Sequence, residues 1–220
     1  MSDRELREDI ARNLGLMRER AEAYYRRALA SFDEGDMENA ILDISEALYN
    51  DAGYDEFYAT RGFFYLQDLK FAEAEADLYY AIRLNKRQWL AHYCLGILDF
   101  QTGNFQEAYA HFMTASQYAP KRPEVILYRG VAAWYTGNDE QAKQDMELAL
   151  NLLPDDDKRR KEVQSWLKEF GVKLPAEASK ADKADKSDAG KDEKVIKTTK
   201  DSKDRKKTGE TKQITAGKKR

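Results

Sequence analysis

The chain has 220 residues, 42% of them hydrophobic and 35% charged, which is enough apolar material for one ordinary domain with a core. Its 37 basic and 40 acidic side chains nearly cancel, but residues 1–175 hold 22 basic and 31 acidic while residues 176–220 hold 15 and 9, so an acidic body precedes a basic tail. A single cysteine, Cys94, excludes an internal disulfide framework, and no run approaches the roughly 18 apolar residues of a membrane span. The charged opening MSDRELREDI is unlike a signal peptide, so a cytoplasmic location is the default expectation.

The first element expected is an N-terminal helix over 1–20. Ser2 and Glu5 have capping-box spacing, and Leu6, Ile10, Leu14 and Met17 form an apolar stripe along one face. The stripe has no obvious partner within its own segment, so something must cover it.

From Ala21 onward the chain falls into rows of 34 residues without insertion: 21–54, 55–88, 89–122 and 123–156. Ala40, Ala74, Ala108 and Ala142 share one column, and Ala47, Ala81, Ala115 and Ala149 share another. Ala28, Gly62, Gly96 and Gly130 form a third. A glycine inside a helix costs about 1 kcal/mol relative to alanine, so this column implies close helix approach in return. Seven residues later Gly35, Leu69, Gly103 and Gly137 read as the end of a helix, with a different turn expected at Leu69. Each row is therefore a helical hairpin. Large apolar residues fill facing columns, Phe32, Leu66, Phe100 and Trp134 in the first helix and Ile44, Leu78, Phe112 and Met146 in the second, while Pro120 and Pro154 close two rows.

After the fourth row, 157–171 reads as a capping helix, with Val163, Trp166, Leu167 and Phe170 on one face and Gly171 at its stop. Residues 176–220 contain no Phe, Trp, Tyr, Leu, Met or Cys and are expected to be disordered. Their lysines are interspersed with acids and lack aromatics on which bases could stack. The tail reads first as a solubilising or tethering segment, and second as a contact for nucleic acid or an acidic surface.

The period and these columns resemble tetratricopeptide (TPR) repeats, and the third row, LGILDFQTGNFQEAYAHFMTASQYAP, matches the family pattern well. The resemblance covers 21–156 and implies an all-α, right-handed superhelical solenoid of four hairpins flanked by the N-terminal and capping helices. It also implies that the first helices of successive hairpins line a concave groove that holds a peptide or helix. The groove columns expected from it carry Tyr25, Leu29, Phe63, Tyr93, Ile97, Phe100, Tyr128, Val131 and Trp134. An apolar wall of this extent calls for an apolar or amphipathic protein segment as partner. Other readings are that these residues face neighbouring helices as core, that the N-terminal helix fills the groove, or that a homodimer shares it. The acidic chaperone tails gripped by some family members are not expected as ligands, because the Lys, Asn and Arg of such a clamp are absent from Thr60, Phe63, Leu90, Cys94 and Tyr128.

No catalytic set is recognisable. The two histidines, His92 and His111, fall outside any HExxH motif, and His92 and Cys94 stand two apart, where helical side chains diverge. Asp155 to Asp157 lack the spacing of a calcium loop and fit a helix start better. The sequence thus leads to a non-catalytic interaction scaffold or adaptor with no cofactor or metal. Two alternatives are a TPR chaperone holding secreted or membrane-active clients, and a nucleic-acid or ribosome-associated factor acting through the basic tail.

Overall fold

A computed structural model describes the backbone of residues 3–171, with side chains from Arg12 onward. The tail expected over 176–220 lies outside the described residues, as do Ser2 and the side chains of Leu6 and Ile10. The described residues form nine α-helices and no strand: α1 (Asp3–Glu34), α2 (Met37–Asn50), α3 (Asp55–Gln67), α4 (Phe71–Leu84), α5 (Trp89–Gln101), α6 (Phe105–Tyr118), α7 (Pro123–Tyr135), α8 (Asp139–Leu152) and α9 (Arg159–Glu169). Helices pair as α1 with α2, α3 with α4, α5 with α6 and α7 with α8, and α2, α4 and α6 each pack on the first helix of the next hairpin. The result is an all-α solenoid. Among the described residues no helix is long and apolar enough to cross a membrane.

The small residues set the spacing of the hairpins. All eight alanines of the two second-helix columns are fully buried, as are Ile44, Leu78, Phe112 and Met146 between them. In the second, third and fourth hairpins the glycine column meets this row at close approach. A Cβ on Gly96 would lie 2.7 Å from Phe112 Cε1, and one on Gly62 would lie 2.8 Å from Leu78 Cγ. The helices therefore touch where the sequence withholds a side chain.

The first helix of each hairpin closes with the same turn. The backbone N–H of Asp36, Lys70, Asn104 and Asn138 donates to the carbonyl five residues earlier, at 2.8, 2.9, 2.8 and 2.9 Å. This Schellman arrangement needs a left-handed residue just before the donor. Gly35, Gly103 and Gly137 supply it at φ +84°, and Leu69 supplies it at φ +60°. The different turn expected at Leu69 is not found, because the closing hydrogen bonds hold its backbone in the conformation glycine takes elsewhere.

The two ends differ from each other. Helix α1 runs without a break through residues 20 and 21, so the N-terminal segment and the first helix of the first hairpin are one 32-residue element. Leu14 and Met17 on this helix are both exposed. Arg18 instead lies over the Tyr54 ring at 5.0 Å, beside the α2–α3 connection. At the other end α9 covers α8. Val163 and Leu167 are buried, and Arg160 Nη1 donates to the carbonyls of Leu150 and Leu153 at 2.8 and 2.7 Å, which satisfies the open end of α8.

Candidate functional site

The first helices α1, α3, α5 and α7 carry the columns expected to line a groove, and the structure divides those residues into two groups. Tyr93, Phe100, Tyr128 and Val131 are buried core. Tyr93 packs edge-on against Tyr128 with ring centroids 5.7 Å apart, and both lean on Phe112 of α6. Phe100 is held edge-on by Phe105 and Tyr135 at 5.1 and 5.2 Å. Helices of 13 residues between two neighbours bury more than one face, and these four side chains are packed between helices. Trp134 is half-buried, with its ring against Trp166 of the capping helix at 5.0 Å and 70°. Contact with α9 covers part of the surface that a ligand would need there.

The remaining group stays partly open. Leu29 is exposed, while Tyr25, Phe63 and Ile97 are half-buried. Tyr25 and Phe63 are also braced from behind. The Tyr25 ring stands 5.0 Å from that of Phe57, and its hydroxyl donates to Glu56 Oε1 at 3.1 Å. Phe63 meets Phe32 edge-on at 5.3 Å. Leu29, Phe63 and Ile97 occupy one column of the 34-residue period on α1, α3 and α5, so what persists of the expected wall is a strip over the first three hairpins. Glu22 of α1 and Glu56 of α3 stand two turns before Leu29 and Phe63, while α5 carries Leu90 in that column.

The structure adds a charged column that the reading of apolar periodicity passed over. Arg27 pairs with Asp43, Arg61 with Asp77 and Arg129 with Asp145, each sixteen residues apart and each tying the first helix of a hairpin to its second. Arg61 places Nε 2.6 Å from Asp77 Oδ2 and Nη2 2.9 Å from Oδ1, and its Nη1 donates to Ser45 of the preceding hairpin at 3.3 Å. Arg129 repeats the arrangement, reaching Ser116 of α6 at 2.6 Å. Asp43, Asp77 and Asp145 are buried, so each carboxylate depends on its guanidinium. The signal was present in the sequence: Arg27, Arg61 and Arg129 share one column, and Asp43, Asp77 and Asp145 another. The third hairpin alone departs, with Leu95 and His111 in those two places.

Chemistry of the thiol kind is poorly served. Cys94 is fully buried, and burial pushes its thiol well above the usual cysteine range, so little thiolate forms at neutral pH. Among the described residues no three His, Cys, Asp or Glu side chains converge to hold a metal ion. Burial also holds the imidazoles of His92 and His111 below the usual histidine range.

Residues 21–54 match the tetratricopeptide repeat family. Over 134 residues the chain is 29% identical to Tetratricopeptide repeat protein 16 of Homo sapiens, an alignment covering 58% of this chain and 15% of that protein. The chain thus spans only a small part of the length of the curated relatives it matches. Among solved structures, pilF of Pseudomonas aeruginosa superposes with a TM-score of 0.58 at 17% identity, covering 77% of this chain and 87% of that one. MamA 41-end from Desulfovibrio magneticus RS-1 superposes with a TM-score of 0.56 at 16% identity, covering 76% and 92%. At these identities the two structures are similar to this chain in fold.

Proposed function

We propose that this chain, whose residues 21–54 match the tetratricopeptide repeat family, is a non-catalytic scaffold whose first three hairpins hold an amphipathic helix or apolar peptide. The observation that carries this reading is the column of Leu29, Phe63 and Ile97. Three large apolar side chains at one position of successive first helices keep part of their surface open to water, whereas most of their neighbours are packed away. Repeated, evenly spaced apolar anchors suit a ligand that presents apolar residues at regular intervals along one face. Tyr25 extends the strip at its N-terminal side. Glu22 and Glu56 beside the strip suit a ligand with a basic residue next to its apolar ones, since complementary charge favours encounter and register.

The test is affinity capture with the full chain and the double variant Phe63→Asn with Ile97→Asn in parallel. Both side chains are half-buried, so thermal unfolding is followed first, and Leu29→Asn at the exposed position serves as a second variant that leaves the core alone. Loss of the same partner from both variants, with helical content retained, is the expected result. Unchanged capture by both variants overturns the groove reading. If the captured protein is insoluble unless co-produced with this chain, the same strip acts as a chaperone for that client. Capture abolished by removal of 176–220 instead assigns recognition to the basic tail.

A further inference from the structure

Helix α1 has 32 residues, whereas α2, which packs on it, has 14 and ends at Asn50. With about 100° of rotation per residue, Leu6, Ile10, Leu14, Met17, Ala21 and Ala28 occupy positions within roughly 80° of arc and share one face of α1. Over the first hairpin α2 completes that face, and Ala21 and Ala28 are buried in one cluster with Ala40, Ile44 and Ala47. A cleft lined by Leu14, Gly15, Met17, Arg18, Asn50 and Asp51 marks where α2 stops, level with Arg18. Beyond it the same face runs on, and there Leu14 and Met17 are 61% and 51% exposed. Helices in proteins owe most of their stability to the packing of such a face, so residues 3–17 call for a second helix.

We propose that this helix is the same segment of a second copy of the chain, lying antiparallel across a twofold axis so that each stripe covers the other. Within one chain the need is not met. The unbroken α1 keeps the stripe from folding back on the array, and residues 176–220 hold no Leu, Met, Phe, Tyr or Trp to present to it. A second copy brings a face of equal length and prolongs the interface that α1 already makes with α2. Direction follows from α2: a parallel copy, continuous through its own residue 21, would run into the place α2 occupies, whereas an antiparallel one leaves the other way. Register follows as well. The second copy's α1, which starts at Asp3, meets the end of α2 level with Arg18, so the axis falls near Ile10 and Leu6 of each copy lies beside Leu14 of the other. Charge agrees at both ends. The open N–H groups at the start of one α1 abut the C-terminal end of the other copy's α2, whose last turn has no basic residue and whose cap is Asp51, and Asp3 arrives beside Arg18.

The full chain is followed by sedimentation equilibrium over a concentration series, beside Leu14→Asp and Met17→Asp, with circular dichroism as the check on folding. Both positions are exposed, so the hairpins should keep their structure in either variant. The expected result is a dimer in the wild type, weakened roughly tenfold or more by each substitution, since a charge at the seam loses its water on association. Register is read by cysteine cross-linking, for which the buried Cys94 is a silent background. Ile10→Cys, at the axis, should give a disulfide-linked dimer under mild oxidation, and Met17→Cys, which faces Asp3 of the second copy, should not. A wild type that sediments as a monomer throughout overturns the proposal, as does a dimer indifferent to Leu14→Asp and Met17→Asp. Cross-linking at Met17→Cys as efficient as at Ile10→Cys overturns the antiparallel pairing. The groove reading is separable, because Phe63→Asn with Ile97→Asn should leave the dimer intact; a dimer dissolved by that double variant alone places the second copy in the groove and overturns the pairing through α1.

Discussion

Asp145 has 1% of its surface exposed and is held by Arg129 from α7 and by Gln141 Nε2 at 2.9 Å from its own helix. Arg129→Met leaves that carboxylate buried with one neutral donor, and we expect a loss of about 3 kcal/mol in urea unfolding. Arg27→Met also strands a buried carboxylate, Asp43, but the Arg27 side chain is 62% exposed, so water reaching the vacated place makes the loss smaller. Tyrosines mark the opposite limit of pH. Burial pushes the Tyr128 phenol up to about 12, with Glu162 adding to the shift, and Tyr93 is also raised well above 10. In the unfolded chain these phenols ionise near 10. Their contribution is complete below pH 10, where both states keep the proton. Between pH 10 and 12 the unfolded state ionises while the folded state resists, so stability is lost through that window. The melting temperature should fall steeply there, and Tyr128→Phe should flatten the fall.

At the scale of the element, the turns between paired helices show how closely local geometry is dictated by the bonds that close it. Leu69 occupies a left-handed conformation that costs an L-residue roughly 1–2 kcal/mol, and 71% of it is exposed, so its side chain returns little. Leu69→Gly should stabilise the chain by up to about 1 kcal/mol, the greater freedom of glycine in the unfolded state offsetting part of the gain. Chemical denaturation measures it, and a destabilised variant would show that the Leu69 side chain contributes packing elsewhere. The residue sequence alone led to a different turn here, because it weighs the preference of Leu and has no access to the hydrogen bonds from Lys70 to Tyr65 and from Leu69 to Leu66 that override it. The length of α1 was equally hidden. A row boundary at residue 21 is a boundary of pattern, and nothing in Arg18 to Glu22 stops a helix, so the peptide hydrogen bonds run through.

Across the whole molecule, four hairpins stacked in order leave each first helix between two neighbours, and that position decides which apolar residues remain available to a ligand. In the third and fourth hairpins Tyr93 and Tyr128 close on Phe112 and on each other, Phe100 closes on Phe105 and Tyr135, Val131 is buried, and Trp134 meets Trp166 of α9. Over the first three hairpins Leu29, Phe63 and Ile97 keep open surface.

The 34-residue period by itself determined that the chain repeats as helical hairpins, because a small residue is required wherever two helices cross closely and the crossings recur at equal spacing. It also determined where first helices end, since a left-handed residue is needed there and glycine takes it most cheaply. Only the tertiary structure decided which face of each helix met a neighbour, and with it the loss of Tyr93, Phe100, Tyr128 and Val131 to the core. It alone joined Arg129 to Asp145, and it brought His92 to within 3.3 Å of His111 across nineteen residues of sequence. Periodicity records what each unit shares with the next. Contacts between helices depend on the rotation of each helix about its axis, which a column of residue types does not contain.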